Sequence, residues 1–233
     1  MSIGHLLRAA GVTLRISVPT LFDALLGRLT PEICDARLDW WSQRLLGQAD
    51  VSLQTSGVEH ARGAKAFVVM SNHQSLYDIP ALFQTLPFRL RMVAKAELFR
   101  IPIWAQAMRV AGFVELDRSV RERAIESLER AKVALAQGTS IWIAPEGTRS
   151  RDGSLGAFKL GGFHLAAGAG APILPVTVAG TRSILPAKGA RVVAGAIVRV
   201  TVHRPIDPAD YGNEVSDSLV QAVRSSIESA LRD

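Results

Sequence analysis

From about residue 51 onward, short apolar runs alternate with longer segments that have a helical pattern. The apolar runs fall at residues 67–70, 92–94, 113–116, 141–144 and 173–178. Runs of this length are typical of strands that are buried on both faces, and helical segments between such strands make crossover connections. The alternation therefore predicts an α/β fold, with a mixed, largely parallel sheet flanked by helices.

The segments around these runs add detail to this prediction. A helix is expected to begin at Ser119, whose hydroxyl can cap it together with Glu122, and to end at Gly138. Residues 197–203 alternate between apolar and polar and predict a half-exposed strand, whereas residues 215–231 have the pattern of an amphipathic helix. The longest uncharged run, residues 160–181, holds glycines and prolines that exclude a membrane span, so it predicts a packed helix followed by a buried strand.

Residues 1–48 differ in character from residues 49–233, which form the predicted α/β domain. They are expected to form a two-helix extension that is amphipathic, with an apolar face interrupted by arginines too often for a membrane span. Pro19 is expected to kink the first helix, and the second carries Trp40 and Trp41 among arginines. Two interpretations remain open: a hairpin packed on the domain, or a motif that lies in the membrane interface.

The composition narrows the choice of partners. Lys and Arg number 27 against 21 Asp and Glu, so the net charge is 27 − 21 = +6, and the pI of about 10.1 favours an anionic partner. The basic residues are scattered and aromatic residues make up only 6%, which disfavours nucleic acid. A single cysteine, Cys34, and histidines without ligand spacing give no reason to expect a metal or a disulfide.

A candidate catalytic pair follows the apolar run at 67–70. His73 and Asp78 stand in a turn that leads into a helix expected to start near Pro80. If the chain folds back there, the carboxylate can hold one ring nitrogen of the histidine and leave the other as a general base. The alternative is that Asp78 caps the helix and His73 is an ordinary loop histidine.

Three basic side chains also follow apolar runs. They are Lys95, Arg118 and Arg149, and each comes directly or a few residues after a predicted strand. Parallel strands would bring these positions to one edge of the sheet together with His73. One base and three cations describe a site for a nucleophilic hydroxyl on a phosphorylated substrate.

In order along the chain, these residues resemble the motifs of the glycerolipid acyltransferases, whose best-known members are the 1-acylglycerol-3-phosphate acyltransferases. Residues 72–78, Asn-His-Gln-Ser-Leu-Tyr-Asp, match the family's N-H-x-S-x-x-D block. Residues 145–150, Pro-Glu-Gly-Thr-Arg-Ser, match its P-E-G-T-R-S block. Shorter elements resemble residues 95–98, 112–118, 158–161 and 174–176. The matches extend over roughly half of the chain.

The resemblance implies a role for each matched residue. His73 would activate the acceptor hydroxyl with Asp78 as its partner, and Lys95 would support the developing oxyanion. The substrate-binding residues would be Asn72, Ser75, Arg118, Glu146, Gly147, Thr148, Arg149 and Lys159. The hydroxyl would attack the acyl thioester directly, so no cofactor is expected beyond the donor, which would be acyl-CoA or acyl carrier protein.

The expected function is transfer of a fatty acyl group to lysophosphatidic acid, which forms phosphatidic acid. The expected location is the cytoplasmic face of the inner membrane, where the chain would be a peripheral or monotopic protein in contact with the lipid bilayer. Two alternatives stay open. One is an acyltransferase for another lysolipid, such as lyso-ornithine lipid, and the other is a membrane protein that binds anionic lipid without turnover.

Overall fold

The computed structural model describes residues 3–116, 121–189, 191–212 and 215–231. Within these ranges the fold is a mixed sheet with helices on both faces. The strands are β1 (Ser52–Ser56), β2 (Val68–Ser71), β3 (Leu90–Lys95), β4 (Val114–Leu116), β5 (Ser140–Ile143), β6 (Ile173–Ala179) and β7 (Ile197–Val202). The helices are α1 (Ile3–Leu25), α2 (Pro31–Gln48), α3 (Asp78–Thr85), α4 (Trp104–Val110), α5 (Arg121–Ala136), α6 (Gly161–Ala169), α7 (Thr181–Ile184) and α8 (Asp217–Ser229).

The sheet has the strand order β1-β7-β6-β2-β5-β3-β4. Every neighbouring pair is parallel except β6 and β7, which are antiparallel. All the strands expected from the apolar runs are present, so the mixed, largely parallel sheet is confirmed. The strand β1 was not predicted, because its sequence is mostly polar and its side chains are mostly exposed at the sheet edge.

Two apolar cores lie on opposite faces of the sheet, and β2 contributes to both. Phe67 and Val69 pack into the core beneath α3 and α4, whereas Val68 and Met70 pack into the core beneath α5, α6 and α8. Successive strand residues point to opposite faces, so a strand covered on both sides is apolar at most positions. This burial explains why the central strands appear in the sequence as largely apolar runs.

The helices α5 and α8 agree with the sequence pattern. The helix α8 begins after Ser216, whose hydroxyl accepts a hydrogen bond from the backbone N–H of Leu219, and it buries one apolar stripe. The helix α5 ends at Ala136, just before Gly138. The expected cap at Ser119 lies outside the described residues.

Residues 1–48 form two helices that pack on the α/β domain. α1 contacts α2 and α4, α2 contacts α3, and α1 continues through Pro19 as one helix. Asp35 of α2 forms ion pairs with Arg89 and Arg91 at the start of β3, which ties α2 to the sheet. Among the described residues, no helix has the length and apolar character needed to cross a membrane.

The contacts between α1 and α2 are polar. The Trp41 indole donates to the Thr13 hydroxyl at 3.1 Å, and the Arg37 guanidinium donates to Thr20 and pairs with Asp23. The opposite side of α1 is apolar and exposed, with the side chains Leu7, Leu14, Val18, Phe22 and Leu25. The apolar stripe seen in the sequence therefore faces away from the domain.

Candidate active site

The loop after β2 brings the predicted catalytic pair together. His73 Nδ1 lies 2.7 Å from Asp78 Oδ2. Asp78 is fully buried at the first position of α3, and the His73 side chain is 16% exposed. Because Nδ1 is taken by the carboxylate, Nε2 is the ring nitrogen that is left for a substrate proton. The fold-back that was one of the two alternatives for this turn is therefore present.

Backbone and side-chain donors hold Asp78 in place. Its Oδ2 also accepts the backbone N–H groups of Gln74 at 2.7 Å and Ser75 at 3.0 Å. Its Oδ1 accepts the hydroxyl of Thr181, the first residue of α7. With donors on both oxygens, the carboxylate has a single orientation and can support one rotamer of His73.

Asn72 and Ser75 lie beneath the site and are almost completely buried. The Asn72 amide donates to the carbonyl of Val178 and accepts from its N–H, both at 2.8 Å, which joins the loop to β6. The Ser75 hydroxyl donates to the Leu185 carbonyl at 2.8 Å and accepts from the Tyr77 N–H. These side chains were predicted among the substrate-binding residues, and the contacts that the structure shows for them shape the loop.

Glu146 joins the two motif-bearing loops. One carboxylate oxygen accepts the backbone N–H of His73 at 3.0 Å, and the other accepts that of Gly156 at 2.8 Å. In the same place the Ser150 N–H donates to the His73 carbonyl at 2.7 Å. Burial raises the pKa of Glu146, and the two N–H donors oppose that rise. Glu146 therefore fixes the position of the loop that carries His73 relative to the loop that follows β5.

A cleft of about 390 Å³ opens beside His73 at the carboxyl ends of β2, β3 and β5. The predicted residues that line it are His73, Lys95, Gly147, Thr148 and Arg149. Lys95 and Thr148 are exposed and Arg149 is half-buried, so these polar groups face a solvated opening. Other walls are apolar and include Trp142, whose ring stands edge-on to the His73 ring at 5.4 Å between centroids.

The cleft lining does not account for two other predicted residues, Arg118 and Lys159. Arg118 lies outside the described residues, although Leu116, just before it in the chain, lines the cleft. Lys159 is exposed and is absent from the lining of this cleft, and its backbone N–H donates to the Pro145 carbonyl at 2.9 Å. Its backbone closes the loop that begins after β5.

Known proteins share this arrangement. A model of the family described as Acyltransferase matches residues 52–179, a range that includes the His73–Asp78 pair and the loop with Glu146 and Arg149. The chain belongs to the acyltransferase family. The resemblance drawn from the motifs is thereby confirmed.

Individual acyltransferases show how far the similarity extends. The chloroplastic 1-acyl-sn-glycerol-3-phosphate acyltransferase of Brassica napus is 37% identical over 70% of this chain and 46% of its own length. The alpha enzyme of Homo sapiens is 32% identical over 78% of this chain and 65% of its own length. The chain thus spans about half the length of the plant relative and about two thirds of the human one.

A solved acyltransferase also shares the fold. The crystal structure of the 1-acyl-sn-glycerophosphate (LPA) acyltransferase PlsC from Thermotoga maritima matches with a TM-score of 0.77 and 26% identity. The match covers 98% of this chain and 96% of that one. It therefore confirms the α/β fold over nearly the whole chain, including the two N-terminal helices.

A second pocket in this acyltransferase is apolar and was not predicted. It has a volume of about 90 Å³ and lies between α1, α2, α3 and α4. It shares part of its lining with the catalytic cleft, namely Leu76, Ile79, Met92 and Leu98. Its other walls include the aromatic rings of Trp41, Phe83, Trp104 and Phe113. The catalytic cleft therefore adjoins an apolar compartment that the N-terminal helices help to form.

Thr181 and Trp142 are also site residues that sequence reasoning missed. Thr181 contacts Asp78 from a position 103 residues later in the chain, and no local pattern marks it. Trp142 lies inside the apolar run of β5, where its indole N–H donates to the Ser71 hydroxyl at 2.9 Å. A polar N–H on a buried ring in a strand that ends at the site was the one available signal.

Proposed function

We propose that the protein transfers a fatty acyl group from an acyl thioester to the free hydroxyl of 1-acylglycerol-3-phosphate and forms phosphatidic acid. The observation that carries this function is the combination of a base with two kinds of surroundings. The base is His73, hydrogen-bonded to Asp78, and it lies in a cleft with cationic side chains at its rim and an apolar pocket next to it. An amphiphilic substrate with a phosphate and an acyl chain fits both parts. The names of the plant, human and Thermotoga relatives agree with this substrate.

The His73–Asp78 pair supports direct attack on the thioester. His73 Nε2 accepts the proton of the acceptor hydroxyl as its oxygen forms a bond to the thioester carbon. The carbon–sulfur bond then breaks, and the proton passes from His73 to the departing thiolate. The ammonium of Lys95 at the cleft wall supplies positive charge for the oxyanion that develops on the carbonyl oxygen.

The acceptor phosphate is assigned to the loop that follows β5. Arg149 can donate two parallel hydrogen bonds to a phosphate, and Gly147 and Thr148 lie next to it in the cleft lining. Arg118 is proposed as a second phosphate ligand from its motif position after β4. Lys159 completes the assignment as a long-range positive charge, and Glu146 contributes by holding this loop against His73.

The acyl chain is assigned to the apolar pocket between α1, α2, α3 and α4. The shared lining residues place the pocket and the cleft side by side, so a chain can leave the reacting carbonyl without crossing solvent. Burying a methylene group contributes about 0.8 kcal/mol, so a few methylenes in this pocket suffice to orient the ester end. Acyl-CoA and acyl carrier protein both present such a chain.

The exposed side of α1 is proposed to bind the membrane surface from the cytoplasmic side. Phe22 is 60% exposed and Leu25 is 83% exposed, and Arg8 and Arg15 flank the stripe. Arginines beside an apolar stripe suit anionic headgroups, each contributing about 1 kcal/mol. Ile101, Ile103 and Val110, in and beside α4, are exposed next to α1 and would extend the same contact.

Vesicle flotation tests this membrane contact. Serine at Leu14, Val18 and Phe22 should release most of the protein from anionic vesicles, because each buried apolar side chain contributes about 1.5–3 kcal/mol. The matched control replaces Ile125 and Val133, which are exposed on α5. Equal flotation of the two variants would contradict the assignment of the α1 stripe to lipid.

An acyl-transfer assay tests the reaction itself. Purified protein should acylate lysophosphatidic acid in preference to lyso-ornithine lipid and other lysolipids when a radiolabelled acyl donor is supplied. His73→Ala should remain folded and lose at least the roughly 10² to 10⁴ in kcat that a general base supplies. Turnover with another lysolipid alone would correct the acceptor, and a folded His73→Ala variant with normal turnover would contradict the mechanism.

A further inference from the structure

Arg224 of α8 reaches the loop that carries the cleft-lining residues 147–149. Its two terminal nitrogens donate to successive backbone carbonyls, Leu155 at 2.7 Å and Gly156 at 2.6 Å. Its guanidinium carbon also lies 5.3 Å from the centre of the Phe158 ring. A planar fork with two parallel donors can bind two adjacent carbonyls at once in a fixed geometry, whereas a lysine offers a single nitrogen at the end of a flexible stem.

Gly156 is therefore held from both sides. Its N–H donates to Glu146 Oε2 at 2.8 Å while its carbonyl accepts from Arg224. A Cβ at this position would lie 3.1 Å from Glu146 Oε2, so the contact favours glycine. The other oxygen of the same carboxylate accepts the His73 N–H at 3.0 Å. A continuous path of contacts thus runs from Arg224 through Gly156 and Glu146 to the catalytic loop.

The charge of Arg224 acts in the same direction as its hydrogen bonds. Burial raises the pKa of Glu146, and the two backbone N–H donors and the positive charge of Arg224 oppose that rise. Glu146 accepts both N–H groups most strongly as a carboxylate, because the charge is shared by its two oxygens. Arg224 therefore helps to keep Glu146 in the form that joins the two loops.

The rest of α8 does not depend on this side chain. The helix packs on the sheet through Leu219, Val223 and Ile227, all of which are almost completely buried. Arg224 is half-buried and points its guanidinium at the loop, outside that apolar stripe. Removing it should leave the helix in place and release the loop.

We propose that Arg224 is a positioning residue for acyl transfer, which fixes the acceptor-binding loop through Gly156 and Glu146. This role rests on the function proposed above, because it assigns the loop to the acceptor phosphate. Arg224 lies outside every matched motif and acts from the C-terminal helix, so nothing in the sequence pattern pointed to it.

The kinetic test compares Arg224→Ala and Arg224→Lys with Arg204→Ala, which removes an exposed arginine. Arg224→Ala should raise the KM for the lysolipid acceptor about tenfold, the change that follows loss of one net hydrogen bond to a charged group. The KM for the acyl donor should change less than twofold. Arg224→Lys should fall between Arg224→Ala and the parent protein, because it keeps the charge and one hydrogen bond.

Limited digestion with trypsin provides a readout that needs no turnover. Cleavage after Arg149 and Arg151 should be faster in Arg224→Ala than in the parent protein or in Arg204→Ala, because the loop opens more often. Unchanged cleavage together with an unchanged acceptor KM would overturn the proposal, as would equal rises in donor and acceptor KM. If the parent protein did not acylate lysophosphatidic acid, the proposed function would fail. The digestion would still test whether Arg224 holds the loop that carries residues 147–149. Should Arg224→Ala fail to fold, Arg224→Lys serves in both measurements with the same criteria.

Discussion

Replacing Asp78 with asparagine separates the orienting role of this side chain from its charge. Oδ2 accepts from His73 Nδ1 and from the N–H groups of Gln74 and Ser75, whereas Oδ1 accepts from the Thr181 hydroxyl. An asparagine fits only with its carbonyl oxygen in the place of Oδ2, because its NH₂ group would otherwise point at three donors. In that orientation the NH₂ group meets Thr181, whose hydroxyl can rotate to accept.

The expected loss is then the loss of charge alone. His73 keeps its orientation and its Nδ1 proton, but the imidazolium formed when Nε2 takes up a proton is no longer paired with an anion. A hydrogen bond to a charged group contributes about 1.5–3 kcal/mol, against about 0.5–1.5 kcal/mol between neutral groups. A difference of about 1.4 kcal/mol lowers kcat roughly tenfold. Asp78→Ala should lose far more, because it leaves the buried donors unsatisfied and frees the histidine.

The assay follows release of the thiol from the acyl donor at saturating donor concentration. Near-ultraviolet circular dichroism confirms that each variant is folded, and Asp210→Asn, at an exposed aspartate, is the charge-matched control. The acceptor KM of Asp78→Asn should stay unchanged. A loss of kcat as large as that of His73→Ala would refute the reasoning, because it would mean that the loop does not orient the new side chain. An unchanged kcat would refute the role of the charge.

Two further outcomes follow from the structure. Arg149→Ala should raise the acceptor KM by roughly ten- to a hundredfold, because it removes a charge-assisted contact to the phosphate. Arg151→Ala, at an exposed arginine, is the control. A rise in the donor KM alone would assign Arg149 to the donor. Burial, together with the charge of His60, lowers the pKa of His203 below its usual 6.5. The unfolded chain thus takes up a proton that the folded protein does not hold, so the Tm should fall as the pH drops from 7 to 5. His203→Gln should flatten this slope and exposed His164→Gln should not; equal slopes in all proteins would contradict the role of His203.

Local patterns were sufficient to predict the central sheet, whereas they left the pairing of His73 with Asp78 as one of two alternatives until the motif resemblance was added. The strands β2, β5 and β6 are covered on both faces, so each appears as a short, largely apolar run, and its length favours a strand over a helix. Because parallel strands end at one edge, the positions of His73, Lys95 and Arg149 after separate strands were enough to place them in one cleft. The edge strand β1 has no buried face, so its polar sequence gave no such signal.

Long-range contacts were beyond the reach of these patterns. Asn72 matches a motif that suggested a substrate contact. In the structure its side-chain amide forms two hydrogen bonds with the backbone of Val178, 106 residues away. Which partner a polar side chain meets depends on how strands align across the sheet. Periodicity reports only whether a position is buried.

The first helix shows most clearly why burial and pattern must be considered together. Its apolar stripe left open whether that face packs on the domain or lies in the membrane interface. The side of α1 that contacts α2 carries Thr13 and Thr20, each hydrogen-bonded to an α2 side chain. A helix in water alone would lose free energy by exposing Leu14, Val18 and Phe22 while burying hydroxyls. An apolar phase around the exposed stripe, which the proposed membrane contact supplies, would recover this free energy. With the proposed membrane contact the same helix would have two uses: its polar side helps to close the pocket assigned to the acyl chain, and its apolar side would hold that pocket at the membrane surface, the source of the proposed lysolipid substrate.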